Sequence, residues 1–235
     1  MKRLVVLVGA VVLTLLAGPA SAEWLVDLYG GGAFTQSSDL SITGDLPGVS
    51  GNVTLPDVEF DTTFVGGLRA GYWFGEPSFE GLSIFGIALD VWYFQPNTGA
   101  ASANVNGVNV STNDLAVKVA ALSVDLMFRA PYLVSPEFPQ GRLQIYVLGG
   151  PAVFYTTVDG GGISVDFVRR VDISDSDISL GLKVGYGVTW LFTKNIGGFA
   201  EYRFTHVSPE ISEGSVRLET DLNTHHVMAG ISLRF

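Results

Sequence analysis

The sequence predicts an all-β protein folded as an eight-stranded, antiparallel, up-and-down β-barrel. Apolar residues alternate with small or polar residues along eight long segments, and this is the period of a β-strand. Long and short connections alternate between the segments, as expected when neighbouring strands run up and down. The clearest segment is 178–192, where Leu182, Val184 and Tyr186 lie on one face and Lys183 lies on the other.

The eight segments are long for strands of a globular protein. Most exceed the ~5–6 residues typical of globular sheets, and several exceed the ~9–11 residues that cross a bilayer at a tilt. The predicted strands cover residues 24–34, 60–74, 82–94, 115–129, 143–158, 178–192, 198–207 and 222–235. The fifth strand starts at Leu143, and its first residues do not indicate which face points inward.

The connections between these strands fall into two classes. The long connections are 35–58, 95–113, 159–177 and 208–220, and the shorter ones are 75–81, 130–142 and 193–197. The long connections are rich in Ser, Asn, Gly and Asp, so we interpret them as loops, including the locally simple tract 97–110. This asymmetry is typical of membrane barrels, which have long extracellular loops and short periplasmic turns.

The N-terminal segment predicts export. Lys2 and Arg3 precede an apolar stretch over 4–16, and small residues follow at 20–22. This pattern predicts a secretory signal peptide over 1–22, followed by a barrel domain over 23–235. The apolar stretch is too short to span a bilayer of ~30 Å as a helix.

Composition excludes several classes of function. The chain of 235 residues has a formal net charge of -10, and this argues against a nucleic-acid-binding surface. It contains no Cys, so disulfides and thiolate metal sites are excluded. No nucleotide-binding or metalloprotease motif is present, and we expect no cofactor, no metal and no nucleic-acid partner.

Alternation alone does not decide whether the apolar face points inward, as in a soluble lipocalin-like barrel, or outward towards lipid. Three features favour the membrane arrangement. Only three lysines follow the predicted signal peptide, the polar face is rich in Gly, Ser and Thr, and aromatic residues gather near strand ends. We expect an aromatic girdle formed by Trp24, Tyr72, Phe74, Tyr93, Trp190, Phe192 and Tyr202. By the same positional argument, Trp73, Trp92, Phe94 and Phe199 are assigned to the rims.

The last predicted strand carries a further signal. Its alternating apolar residues are Val227, Ala229, Ile231, Leu233 and Phe235. This segment resembles the C-terminal strand of bacterial outer-membrane β-barrels, and 201–204 looks like the matching segment of small OmpA-like barrels. The resemblance implies secretion through the inner membrane and a location in the outer membrane, in contact with lipid and lipopolysaccharide. It also implies recognition of the C-terminal strand by the barrel-assembly machinery.

With the apolar face towards lipid, ten ionisable side chains point into the barrel. They are Asp27, Asp61, Asp90, Asp125 and Glu201, with Arg69, Arg129, Lys183, Arg203 and Arg234. An eight-stranded barrel is just wide enough for side chains to fill it, and charges buried there must be paired. The equal numbers of acids and bases therefore predict a filled polar lumen with an ion-pair network, and no open pore.

These features favour a monomeric protein with a structural or surface-interaction role, such as membrane integrity, adhesion or ligand contact through four loops. We predict no enzymatic activity. The alternative is a hydrolase that resembles outer-membrane lipid A deacylases, with His206 and Ser208 as a base–nucleophile pair. Glu219 is a candidate orienting carboxylate, as are Glu210 and Glu213. Pro209 follows the Ser, where that family has Asn.

Acidic residues in the loops leave open a bridging role for divalent cations, since hard cations prefer oxygen ligands. The main concentration is in 159–177, with Asp159, Asp166, Asp172, Asp175 and Asp177. We favour a solvated loop surface. His225 and His226 are adjacent in a predicted strand, so they point to opposite faces and do not chelate a metal together.

Overall fold

The computed structural model describes residues 23–46, 49–74, 84–99, 101–105, 108–112, 116–165, 169–213 and 216–235. The predicted signal peptide, 1–22, lies outside the described residues. The described part of the chain contains no helix of the length and apolarity needed to cross a membrane.

The described chain forms fourteen β-strands. They are β1 (Glu23–Thr35), β2 (Ser38–Leu46), β3 (Val49–Val58), β4 (Thr63–Trp73), β5 (Phe85–Phe94), β6 (Ala101–Val105), β7 (Val108–Thr112), β8 (Ala116–Tyr132), β9 (Leu143–Val165), β10 (Arg169–Leu191), β11 (Ile196–Val207), β12 (Glu210–Glu213), β13 (Val216–Glu219) and β14 (Leu222–Arg234). Eight of them pair in the antiparallel order β1-β4-β5-β8-β9-β10-β11-β14, and β14 pairs back with β1 to close the barrel. The predicted eight-stranded, up-and-down barrel is confirmed.

The six remaining strands lie in three of the long connections, which the sequence predicts to be loops; the structure shows that these three connections contain β-hairpins. β2 and β3 form a hairpin that joins the β12–β13 hairpin in a four-stranded sheet, while the β6–β7 hairpin extends the barrel sheet through β9. The fourth connection is shortened, because β9 and β10 extend into it. In the first hairpin Leu40, Ile42, Val53 and Leu55 alternate with polar residues and are buried, so one face of it contributes to a core.

Side-chain burial alternates along the barrel wall, and it fixes which face touches lipid. Lys183 is 1% exposed, whereas its neighbour Leu182 is 62% exposed. The fifth predicted strand, now β9, places Gln144 and Tyr146 inward and Ile145 outward. The apolar face is therefore outside and the ionisable face is inside, as predicted for a membrane barrel.

The barrel has two distinct ends. We call the end with the long hairpins the loop end, and the end that carries Glu23, Phe235 and the short connections the turn end. At the loop end the interior is apolar, because Val117, Phe154 and Leu222 of the wall pack with buried residues of the hairpins. A cavity of about 40 Å³ lies between these wall residues and the hairpins.

At the turn end, the connection from 133 to 142 folds across the barrel mouth. Its Phe138 side chain is buried, and its Gln140 backbone carbonyl accepts a hydrogen bond from the inward-facing Gln144. Leu133 and Gly141 adopt positive φ angles of 54° and 83°, and this allows the chain to reverse tightly on both sides of Phe138. Both ends of the barrel are therefore covered by the chain itself.

Candidate functional site

Seven ionisable side chains form one buried network in the middle of the lumen. They are Asp27, Arg69, Asp90, Asp125, Lys183, Glu201 and Arg203. They come from β1, β4, β5, β8, β10 and β11 because inward positions recur every second residue of each strand. Residues distant in sequence thus meet across the barrel axis.

Positive and negative groups alternate along this network. Arg69 contacts Asp27 at 2.7 Å and Glu201 at 2.6 Å. Arg203 contacts Glu201 at 2.8 Å and Asp90 at 2.7 Å. Each of these two guanidinium groups therefore neutralises parts of two carboxylates, as buried charges require.

Lys183 ends the series. Its Nζ atom lies 2.7 Å from Oδ2 of Asp90 and 2.5 Å from Oδ2 of Asp125. Among the described residues, Asp125 makes no salt bridge other than this one with Lys183. Asp90 has Arg203 as a second cationic partner, so the two carboxylates depend on Lys183 to different degrees.

Hydroxyl groups and aromatic rings complete the environment of these charges. Tyr29 donates a hydrogen bond of 2.5 Å to Asp90, and Tyr146 donates one of 2.7 Å to Glu201. The Lys183 ammonium lies 4.9 Å from the centre of the Trp92 ring. A cation over an aromatic face gains electrostatic stabilisation, which offsets part of the cost of removing the Lys183 ammonium from water.

A second, smaller cluster lies at the turn end. Glu23 contacts Arg129 at 2.6 Å and Arg234 at 3.7 Å. Glu23 was missed by the sequence reasoning, although it shares the inward parity of Asp27.

Asp61 is the one predicted lumen residue that the structure places elsewhere. It is exposed and precedes β4, which begins at Thr63, so the alternation counted from residue 60 does not apply to it. Glu23 takes its place in the interior, so the lumen contains five acids and five bases among the residues that the structure describes.

The outward wall carries most of the predicted girdle. Phe74, Tyr93, Trp190 and Phe192 are exposed on it. Trp24 and Tyr72 pack together there, with ring centroids 4.9 Å apart.

Other aromatic assignments were wrong. Trp73, Trp92, Phe94 and Phe199 point inward and are buried, because they share the parity of the lumen charges on their strands. Tyr202 is on the outward wall but packs on Tyr186, in the middle of the paired stretch Gly181–Leu191 and away from the rim.

The predicted assembly signal lies on one face of β14. Val227, Ala229, Ile231, Leu233 and Phe235 are all exposed on the outward side. The structure thus gives them the alternation that the resemblance requires, while their recognition by the assembly machinery stays a prediction.

His206 and Ser208 make side-chain hydrogen bonds to other residues. Nδ1 of His206 lies 2.7 Å from Oδ1 of Asn223, and Oγ of Ser208 donates a hydrogen bond of 2.5 Å to Asp221. Glu219 lies 3.8 Å from Arg217. The three residues of the alternative hydrolase are therefore engaged with three other partners.

The loop end carries an acidic cleft of about 480 Å³ between β2 and the β12–β13 hairpin. Its acidic lining residues are Asp39, Glu210, Glu219 and Asp221. Within the described residues, no group of three or more potential metal ligands is arranged to hold an ion. The side chains of Asp159, Asp166 and Asp172 lie outside what the structure describes.

Comparison with known proteins gives the family. Residues 8–235 match the model of the outer membrane protein beta-barrel domain. No curated protein sequence matches the chain. Among solved structures, Neisserial surface protein A (NspA) is 14% identical with a TM-score of 0.49, and the match covers 93% of this chain and 100% of that chain.

Two further solved structures are similar to the chain at low identity. The N-terminal β-barrel domain of Pseudomonas aeruginosa OprF is 13% identical with a TM-score of 0.42, covering 91% of this chain and 97% of that chain. Ail, the attachment invasion locus protein of Yersinia pestis, is 13% identical with a TM-score of 0.36, covering 90% and 99%. Because the family model spans nearly the whole chain, this protein belongs to the outer membrane protein β-barrel domain family.

Proposed function

We propose that the protein is a closed, non-conducting barrel that anchors folded β-sheets at the outer surface of the cell, and that these sheets make its functional contacts. The observation that carries this proposal is the filled lumen, which leaves the loop end as the part available to a partner. Outer-membrane lipid and lipopolysaccharide surround the apolar wall, and the protein acts as a monomer.

Three layers oppose passage of a solute. The ion-pair network occupies the middle of the lumen, apolar side chains close the loop end, and the connection across 133–142 covers the turn end. An eight-stranded barrel has room for side chains but none for a channel beside them. Solute transport would require all three layers to move.

Two features of the loop end favour a binding role, namely its projecting strands and its acidic cleft. β9 and β10 each span 23 residues, so they project well beyond the length that crosses a membrane. The four-stranded sheet of β12, β13, β2 and β3 holds Asp39, Glu210 and Glu219 around the acidic cleft. Charge complementarity favours partners that present basic groups.

Conductance tests the closed barrel. The purified protein is reconstituted in planar bilayers, with an open porin as the positive control. We expect no discrete conductance steps from the folded, heat-modifiable protein. Reproducible single-channel steps would contradict the filled lumen.

Binding of a basic probe tests the surface role. A fluorescent lysine-rich peptide is titrated into the protein in uncharged micelles at two salt concentrations. We expect saturable binding that weakens with salt and falls severalfold in the variant Asp39→Asn with Asp221→Asn. The matched control is Glu137→Gln, which removes one exposed acid at the turn end. Binding that ignores the loop-end change, or responds equally to the control, would contradict the proposal.

A further inference from the structure

We propose that the lipid-facing wall holds one anionic phospholipid at the turn end of the barrel. Its phosphate lies on Arg142, and one of its acyl chains lies in a groove across β9, β10, β11 and β14. The site is separate from the loop-end surface, so it does not depend on the role proposed above. A groove on the wall and a cation beside it point independently to this ligand.

The groove is a depression of about 430 Å³ in the outward wall. Ala200 of β11 lies in it between Val188 of β10 and Val227 of β14, and it has the smallest side chain of the three. Leu143 and Ile145 of β9 line it towards the turn end. These side chains share the outward parity of the wall, so the groove opens towards lipid.

Two tyrosine rings close the groove on the side of the loop end. Tyr186 and Tyr202 are paired across β10 and β11, and their ring centroids are 5.3 Å apart. The Tyr202 hydroxyl lies 2.5 Å from Nδ1 of His225 on β14, and this contact fixes the ring from the other side. The border is therefore in place before a ligand enters, and such pre-organisation lowers the entropic cost of binding.

The groove lies at the depth of acyl chains. Trp190 and Phe192 are exposed on β10 between the groove and the turn end, and aromatic residues of this kind mark the membrane interface. From Trp190 to Tyr186 the strand advances by roughly 13 Å, at about 3.3 Å per residue. The exposed apolar wall continues beyond Tyr186 through Val184 and Leu182. The groove therefore faces the half of the bilayer that adjoins the turn end.

Arg142 lies at the turn-end limit of the groove, directly before Leu143. It is exposed, and its Cζ atom lies 5.1 Å from the centre of the Trp190 ring and 5.2 Å from that of Phe138. Its Nε atom donates a hydrogen bond of 3.3 Å to the backbone carbonyl of Leu191. These contacts hold the guanidinium at the membrane interface.

The terminal nitrogens of Arg142 are available to a ligand. Within the described part of the chain they make no hydrogen bond, and no carboxylate pairs with the guanidinium. Because Nε is engaged, Nη1 and Nη2 remain as a fork of donors that matches two oxygens of a phosphate. An exposed cation without an acidic partner at headgroup depth favours a lipid phosphate as its counter-ion.

The charges of the surrounding rim select the class of headgroup. The connections 133–142 and 193–195 contain three ionisable side chains, Arg142, Lys194 and Glu137, and all three are exposed. Two cations and one acid give these connections a net charge of +1, although the whole chain is acidic. A net negative headgroup is therefore favoured over a zwitterionic one, whose ammonium group would meet a positive rim.

The test uses brominated lipid, which quenches tryptophan fluorescence on contact. Of the four tryptophans, Trp73 and Trp92 are buried in the interior, while Trp24 and Trp190 lie on the outward wall. In the parent variant Trp24→Phe, Trp190 is therefore the lipid-facing reporter beside the groove. The full barrel domain with this substitution is reconstituted in phosphatidylcholine bilayers that contain rising fractions of brominated phosphatidylglycerol or brominated phosphatidylcholine.

We expect half-maximal quenching of Trp190 at a severalfold lower mole fraction of brominated phosphatidylglycerol than of brominated phosphatidylcholine. This preference is lost in Arg142→Gln, which removes the phosphate contact, and in Ala200→Phe, which fills the groove. Both changes are made at exposed positions, and folding of each variant is checked by heat-modifiability on a gel. The matched control, Lys118→Gln, removes an exposed cation at the loop end of β8 and leaves the preference unchanged.

Three results would overturn the proposal. One is equal quenching of Trp190 by the two brominated lipids in the folded parent. Another is a preference for phosphatidylglycerol that survives Arg142→Gln or Ala200→Phe, because the site needs both the cation and the groove. The third is a loss of the preference in Lys118→Gln as well, which would show attraction of the lipid by overall charge.

Discussion

Replacement of Lys183 by methionine is the sharpest test of the lumen network. Methionine has a similar length and no charge, so the substitution removes two ion pairs with little change in volume. Asp90 keeps Arg203 and Tyr29 as partners. Asp125 loses the one salt bridge that it makes within the described part of the chain, and it is left as an uncompensated charge at a position that is 0% exposed.

The expected loss of stability comes from Asp125, which is left unpaired, because Asp90 keeps other partners. Removing one partner of a buried pair costs about 3–5 kcal/mol, because the other charge stays buried and unpaired. The central network also changes from four acids and three bases to four acids and two bases. For a denaturant slope of about 1–3 kcal/mol per molar urea, the unfolding midpoint should fall by at least about 1 M.

The assay is urea unfolding of protein reconstituted in phospholipid vesicles, followed by tryptophan fluorescence and by the gel shift of the folded form. Two comparisons control it. Lys194→Met, at an exposed position, should leave the midpoint unchanged. Lys183→Met combined with Asp125→Asn should be more stable than Lys183→Met alone, because the orphaned charge is removed. An unchanged midpoint for Lys183→Met, or a double variant whose loss equals the sum of the single losses, would refute the reasoning.

Three further outcomes are expected. Gly150→Ala should destabilise the barrel by roughly 1–3 kcal/mol in the same urea assay. The new Cβ would lie 1.9 Å from the backbone carbonyl oxygen of Val124, which cannot move away easily. An unchanged unfolding midpoint would argue against this close approach. Gly141→Ala should cost about 1–2 kcal/mol by the same measurement, since its φ of 83° disfavours any side chain; a stability gain would exclude this conformation. Expression of the wild-type protein should leave lipid A fully acylated by mass spectrometry, and acyl loss that disappears in Ser208→Ala would instead establish the hydrolase.

The barrel wall was predictable because each strand carries its own signal. A period of two, sustained over ten or more residues, places every second side chain on lipid, and the scarcity of lysine indicates that the outside is not water. Both features are local to the chain. They required no knowledge of which strands pair.

The errors inside the barrel arose where closeness to the end of a strand was used to place a side chain, although the inward–outward alternation along the strand decides its direction. Trp92 lies near the end of a strand but shares its face with Asp90, so it points inward with the charges. Asp61 was counted within a strand that begins two residues later, at Thr63. Glu23 was overlooked at the start of β1, although the same alternation includes it.

The hairpins at the loop end were missed because the amino-acid composition of the long connections was given more weight than their apolar–polar alternation. Ser, Asn and Gly indicate loops, yet Leu40 and Ile42 alternate with polar residues as a strand requires. Pro56 lies in β3, which is an edge strand of its sheet, where proline is tolerated. Burial of these side chains depends on packing between distant hairpins, and the local sequence does not specify that packing.

The alternating charges of the lumen have a consequence for how the barrel reaches the membrane. Asp27 belongs to the first strand of the wall, whereas Glu201 and Arg203 belong to the seventh, so their shared neutralisation exists only after the cylinder has closed. A partial sheet would bring isolated ions into hydrocarbon at a cost of several kcal/mol each. Insertion and closure are therefore coupled in this protein, and its own electrostatics act against any half-built state in the bilayer.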